Sequence, residues 1–184
     1  SMIDDCITKG KSLQEGGAHY NFSGPQGFGI ANMTDALYAI KTLVYEDKKL
    51  TIEEMKEALD YNYGQGFGTT KAQEVTEQIA KQLLAAGQKV GAEEIAMIYK
   101  QVMADSKNHP KKARFEEIRA MIDTVPKYGN DNEEVDLFAR DVAYTYTKPL
   151  LGYMNPRGGI FQAGLYPVSA NVPLGAQTGA TPDG

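Results

Sequence analysis

Four places in this 184-residue chain combine residue types with a capacity for chemistry. Gly24-Pro-Gln-Gly-Phe-Gly29 leads into a helical pattern, where glycines let backbone N–H groups converge and a helix N-terminus favours an anion. No Gly-Lys-Ser/Thr ending follows and no strand pattern precedes it, so a tight structural lead into the helix is the simpler reading. His19 and His109, the only histidines, have no partner at i+3 or i+4 to form a two-ligand helix face, and no metal site is expected. His109, in a lysine-rich turn, is expected in solvent; His19, beside Tyr20, is expected to hold a hydrogen bond. Cys6 is the single cysteine, and its neighbours Asp4 and Asp5 oppose the thiolate that a nucleophile needs. No catalytic residue is therefore assigned. Tyr166 and Val168 differ, because a period of two points both from one strand into the same space. On spacing alone that pair reads first as core packing and second as a pocket wall with a phenol donor beside an apolar surface.

Those residues need elements to hold them. Residues 1–29 are glycine-rich and poorly periodic, a lead-in segment. From Ile30 the positions Met33, Leu37, Ile40 and Val44 recur at three- and four-residue steps and share one helix face, with Glu46 to Lys49 as a polar stop. Thr51-Ile-Glu-Glu54 is a capping box that starts a second helix, which turns Ile52, Met55 and Leu59 inward. The run Tyr61 to Gly68, poor in helix formers, ends it. Three further stripes follow: Val75, Ile79 and Leu83; Ile95, Ile98 and Val102; Phe115, Ile118 and Ile122. Gly87, Gly91 and the turn Asn108-His-Pro110 separate them. A last helix runs from Glu133 to Tyr146, capped by Asp131 or Asn132, with Val135, Phe138 and Val142 inward and Lys148-Pro149 closing it. The helical block thus covers 30–150. In 159–184 the period changes to two, and Tyr166, Val168, Ala170 and Val172 fall on one face of an expected strand plus loop. One strand leaves its backbone unpaired, so this one is expected to be flexible or paired with another copy of the chain.

Composition removes whole classes of function. At 42% hydrophobic the chain can bury one core, and one unit is expected over 1–184. A net charge of −5 and a pI near 5.1, with only Lys107 to Lys112 as a short basic stretch, exclude a nucleic-acid footprint. No apolar run approaches the ~20 residues of a membrane span, and a lone cysteine fits a reducing compartment. The cytoplasm is the expected address, with a bacterial microcompartment as a narrower one. Ser1-Met2 reads as an expression remnant ahead of a start codon, so the chain is expected to be a piece of something longer.

Three separated motifs resemble the glycyl radical enzymes, which include pyruvate formate-lyase, the diol and hydroxyproline dehydratases and choline trimethylamine-lyase. They are Asn21-Phe-Ser-Gly-Pro-Gln-Gly-Phe-Gly-Ile-Ala31 with the helix through Ala36-Leu-Tyr-Ala-Ile-Lys41, then Pro126-Lys-Tyr-Gly-Asn-Asp131 with Val135-Asp136, then the segment from Arg157 to Gly184. The wording Tyr-Pro-Val-Ser and Gly-Pro-Gln-Gly is closer to the dehydratase and choline-lyase branch. The resemblance implies a mainly α segment with a C-terminal strand, part of a ten-stranded α/β barrel made of two antiparallel half-barrels. It implies that Tyr166 and Val168 are substrate-pocket walls, and that Asn171, Thr181 and Asp183 are structural elements of the loop that follows.

The same resemblance implies a parent enzyme, a homodimer in which a radical S-adenosylmethionine activase installs a glycyl radical. That radical makes a thiyl radical, which takes a hydrogen from a small hydroxylated substrate so that a C–O or C–N bond breaks. The thiyl cysteine and the radical glycine are not in this chain: Cys6 lacks the Gly-Cys-x-Glu setting, and no Arg-Val-x-Gly-Tyr pattern occurs. No cofactor is expected on the chain and no activity from it alone. Two alternatives stand beside this reading: acyl transfer of the pyruvate formate-lyase type in the parent, and a non-catalytic helical binding or assembly module.

Overall fold

Side-chain caps set where the helices begin. Thr51 Oγ1 accepts from the Glu54 amide at 3.1 Å while Glu54 Oε2 accepts from the Thr51 amide at 3.0 Å, so the capping box starts α3 as expected. Asn132 Oδ1 accepts from the Val135 amide at 3.2 Å and settles the choice between Asn132 and Asp131 at the start of the last long helix. In this computed structural model, which describes residues 2–166 and 169–184, the elements run α1 (Cys6–Lys9), β1 (Gln26–Gly27), α2 (Ile30–Ile40), α3 (Ile52–Asp60), α4 (Thr69–Ala85), α5 (Ala92–Ser106), α6 (Lys112–Asp123), α7 (Glu133–Thr147), β2 (Gly164–Leu165) and α8 (Asn171–Gln177). α2 continues into a π-helical turn over Lys41–Glu46, whose Lys41 ammonium lies between Glu46 at 2.9 Å and Glu134 at 3.2 Å.

Four helices build the core. Leu43 of the π turn, Met55 and Ala58 of α3, Phe115, Ile118 and Ile122 of α6, and Val135 of α7 are buried together, with Tyr38 and Tyr63 closing the cluster. The α6 stripe is therefore as expected. Met55, Val102 and Val135 are also buried as expected, whereas the α2 and α4 stripes are displaced by one helical position. Ile52 is exposed, and along α4 the buried line is Ala72, Thr76 and Ala80, with Val75, Ile79 and Leu83 only half-buried. Small residues on that line let α4 lie close to α5, where Val102 and Ser106 are buried, and the larger aliphatics flank the seam.

The chain reverses after α3 through three residues in the left-handed region, Asn62 (φ 49°), Tyr63 (φ 50°) and Gly64 (φ 89°). For a tyrosine that conformation costs about 1–2 kcal/mol, so its contacts must hold it there. Its ring enters the core and its hydroxyl donates to the Thr181 carbonyl at 2.6 Å, while Lys127 Nζ donates to the Asp183 carbonyl at 2.9 Å. The last residues are thus strapped over the helices. Thr181 and Asp183 hold this strap through their backbone.

The C-terminal segment departs most from expectation. Among the described residues its strand is β2, and Ala170 and Val172 are not part of a strand, because α8 begins at Asn171. Pro173 and Gly175 read as loop residues, yet Pro173 sits in the first turn, where its missing N–H has no intrahelical partner to lose. The strand's observed partner lies within the same chain. β1 pairs with it in parallel, Gln26 opposite Gly164 and Gly27 opposite Leu165, and a further parallel bridge joins Ser23 to Phe161. Parallel neighbours require a crossover, and here the helical block is that crossover. No helix among the described residues is long and apolar enough to cross a membrane.

Burial pushes the Tyr63 phenol above its ordinary value, with the Arg119 charge opposing and Asp183 and Asp123 adding to the rise. The folded pKa exceeds the unfolded one of about 10, so the stabilisation is full below pH ~10 and is lost as pH rises beyond it. Tyr63→Phe should lower the unfolding free energy from urea titration by about 0.5–1.5 kcal/mol near neutral pH and flatten the alkaline loss of stability expected of the unsubstituted chain.

Candidate functional site

The ladder between the two ends of the chain is longer than its two named strands. The Ser23 amide donates to Ile160 O at 2.9 Å, Gln162 N to Ser23 O at 2.9 Å, Gly164 N to Pro25 O at 3.0 Å, and Tyr166 N to Gly27 O at 2.9 Å. Pro25 has no N–H to give, and a proline is tolerated here because its carbonyl still accepts. The glycine-rich lead-in is thus a strand whose carbonyls are committed to the second segment, running through Gly29 (φ 76°) into α2. The structural reading of Gly24 to Gly29 accounts for these bonds.

Asn155 closes the ladder. Its side chain is buried, and Nδ2 donates to the Asn21 carbonyl and to Ser23 Oγ at 3.1 Å, while Oδ1 accepts from the amides of Arg157 at 2.9 Å and Gly159 at 3.0 Å. One carboxamide thereby satisfies both segments, using two donors and both acceptor lone pairs. Arg157 Nη2 adds bonds to Phe22 O at 3.2 Å and Ser23 Oγ at 3.0 Å. Gly159 lets the chains approach, since a Cβ there would collide with the Asn21 carbonyl. Neither Asn155 nor Gly159 was singled out from the sequence. The available signal was Asn155-Pro-Arg-Gly-Gly159, a turn composition immediately before the strand pattern.

The register decides which side chains share a face. Partners in a parallel ladder point the same way, and successive residues alternate. A Cβ on Gly27 would lie 2.6 Å from the Tyr146 ring, so the face carrying Ser23, Gly27 and Leu165 looks toward α7. Tyr166, next after Leu165, belongs by alternation to the other face, and its side chain is exposed at 54%. Val168 lies outside the described residues. The structure therefore brings Tyr166 to the face away from α7, fixed through its backbone amide.

The remaining sequence candidates lie elsewhere. Cys6 is buried in α1 and unpaired by any disulfide. His19 Nδ1 lies 3.5 Å from Asp5 Oδ2, and its ring meets Tyr20 edge-on. His109 is not in open solvent: its side chain is 19% exposed and packs in a ring cluster, tilted against Tyr61 and stacked on Phe115 with centroids at 4.1 and 5.1 Å, while Tyr61 and Phe115 also meet at 5.6 Å. Its Nδ1 accepts from the Lys111 amide at 3.2 Å, which turns an apparent surface histidine into a structural one. A polar cleft of about 320 Å³ lies between the start of α4 and residues 177–180, lined by Asp60, Thr69 and Lys71. Burial pushes the Asp60 carboxyl up, but Lys56 at 2.8 Å and Lys71 at 3.4 Å outweigh it and hold it below its ordinary value. The charges lining that cleft are already paired. Among the described residues no cluster of three His, Cys, Asp or Glu side chains is placed to hold a metal.

Three comparisons bear on what this arrangement belongs to. A family model described as pyruvate formate lyase-like matches residues 1–175. A probable dehydratase of Escherichia coli, YbiW, is 32% identical over 190 aligned residues, taking in 100% of this chain and 18% of its own length. A structure solved for 1,2-propanediol dehydration in Roseburia inulinivorans superposes with a TM-score of 0.81 at 58% identity, over 100% of this chain and 22% of that one. The glycerol-bound B12-independent glycerol dehydratase of Clostridium butyricum gives 0.63 at 40% identity, over 99% and 17%. The chain thus spans about a fifth of the length of the proteins it matches.

Removing the clamp tests its part in holding Tyr166. Asn155→Ala leaves two amides and a carbonyl of the ladder without partners, at about 1–3 kcal/mol for each buried group that water does not reach. Amide exchange at Gly164 and Tyr166 should accelerate at least tenfold while α6 amides keep their protection. Equal acceleration in α6 would show that Asn155 supports the whole fold.

Proposed function

The chain belongs to the pyruvate formate lyase-like family, and from that premise we propose that it supplies one wall of the substrate cavity of a glycyl radical dehydratase that removes water from a small vicinal diol. The observation that carries the reading is the 58% identity and 0.81 TM-score over 100% of the chain to the structure solved for 1,2-propanediol dehydration. The 40% identity to the glycerol dehydratase supports the same substrate class. In such a reaction a C–O bond breaks, the hydroxyl leaves as water, and 1,2-propanediol becomes propionaldehyde with no net oxidation. The radical comes from elsewhere in the enzyme. Cys6, the only thiol, is buried in α1 and outside the ladder, and an activating radical S-adenosylmethionine enzyme is the partner this reading requires.

What this chain contributes is position and polarity. The ladder fixes the Tyr166 backbone, and the phenol presents one donor and one acceptor to a hydroxyl on the face away from α7. Val168, which lies outside the described residues, is the second wall residue that the family resemblance implies. A rigid wall of this kind orients the diol and excludes water from the reacting carbons.

With an activase and reductant supplied, a longer polypeptide carrying this sequence should release propionaldehyde from 1,2-propanediol, and the 184-residue chain alone should release none. Tyr166→Phe in the longer protein should raise KM about 3- to 10-fold, the loss of one hydrogen bond of ordinary strength. Aldehyde from the chain alone would overturn its inertness, and none from the longer protein would overturn the dehydratase reading.

A further inference from the structure

The motif Pro126-Lys-Tyr-Gly-Asn-Asp131 lies outside the ladder, yet it has a defined shape. Two of its amides are held by carboxylates from two different helices: Tyr128 N donates to Asp35 Oδ1 of α2 at 2.8 Å, and Gly129 N to Asp136 Oδ1 of α7 at 3.0 Å. Val125 before it is buried in the core, and Asn132 after it caps α7. A backbone pinned at both ends and in the middle fixes where the Lys127 side chain starts. Its ammonium reaches the Asp183 carbonyl at 2.9 Å, a charge-assisted bond across 56 positions.

Other contacts seat the same end of the chain. The Tyr63 hydroxyl donates to Thr181 O at 2.6 Å, Ala180 packs against the core cluster, and a Cβ on Gly184 would stand 2.9 Å from the central carbon of the Arg119 guanidinium. Tyr63 and Lys127 thus hold the strap by its carbonyls, which any residue at 181 or 183 would present. The stretch between this seat and the ladder is not held by burial. Residues 169–179 are all exposed, Val172 at 78% and Leu174 at 54%, and α8 occupies Asn171–Gln177 of that stretch. A short helix without a buried face takes its position from its two ends. One end leads back to Tyr166, whose amide is bonded to Gly27 O at 2.9 Å; the other leads into the strap.

We infer that Lys127 and Tyr63 are positioning residues for the wall that Tyr166 forms, acting through the strap and α8 on the direction in which the chain leaves the ladder. This rests on the dehydratase reading for what the wall does, and it gives the 126–131 motif a role which that reading does not use. Neither side chain is on the ladder, so neither is a catalytic residue. A single anchor would let the strap pivot; anchors at Thr181 and Asp183 together fix its direction as well as its place. With an anchor lost, α8 turns about Tyr166 and the wall no longer holds one orientation. Substrate binding weakens before the chemical step does, because the wall's contacts are alike in the ground and transition states: KM rises while kcat holds.

The test uses Lys127→Met, which keeps the aliphatic stem and removes the ammonium, with Lys127→Arg as the variant that retains a donor. In the isotope-labelled 184-residue chain, amide relaxation should show α8 and Tyr166 more mobile in Lys127→Met, with the Ile118 and Ile122 methyl resonances of the buried core in place. Lys127→Arg should restore the unsubstituted pattern, and Tyr63→Phe should reproduce the mobility of α8. In the longer polypeptide, with activase and reductant, Lys127→Met should raise KM for 1,2-propanediol about 3- to 10-fold with kcat within about twofold, and Lys127→Arg should recover most of the loss. Unchanged mobility at α8 and Tyr166 would overturn the inference whatever the activity. Mobility that rises equally in α6 would also overturn it, since Lys127 would then support the whole fold, and so would greater mobility at α8 with an unaltered KM. If the unsubstituted longer protein releases no aldehyde, the dehydratase reading falls, and the relaxation result alone decides whether Lys127 and Tyr63 position Tyr166.

Discussion

Parallel pairing between residues 23–27 and 160–166 is the constraint from which the rest of the structure follows. A parallel pair cannot be closed by a tight turn, so the chain between the two segments must travel out and return. Here the return path contains α2 to α7, and those helices bury the one apolar core that the composition can fill. Forming the ladder means closing a loop of well over a hundred residues. That cost grows only with the logarithm of loop length, so the core and the ladder bonds together can meet it.

The clamp at Asn155 explains how so short a ladder holds. Two named strand residues on each side would be marginal alone. Asn155 and Arg157 extend the pairing with side-chain bonds to Asn21, Phe22 and Ser23, and Gly159 allows the backbones to touch. Beyond the ladder, α8 and the strap through Thr181 and Asp183 carry the chain back to the core at Tyr63 and Lys127. Both ends of the second segment are therefore anchored, and Tyr166 sits between the anchors.

This arrangement gives the ladder two unlike faces. One rests on α7 through Gly27 and Tyr146, and the other carries aromatic, amide and phenol groups outward.

Local signals in the sequence were sufficient for the helices. The Thr51 box, the glycines between stripes and the α6 stripe Phe115, Ile118 and Ile122 are decided by bonds and periodicity within a few residues, and they appear where they were expected. Three readings failed because they depended on residues far away. His109 looked exposed until Tyr61 and Phe115 enclosed it; Val172 looked like strand until α8 formed; and the C-terminal strand looked unpartnered because its partner lies 138 positions upstream in an offset no local period reveals. Residue types and their local spacing were enough to show which positions could pack, cap and bend, and the motifs pointed to the family. That Tyr166 faces away from α7 came from the fold, because a side chain's face is set by register, and register between distant segments is fixed by the path that joins them.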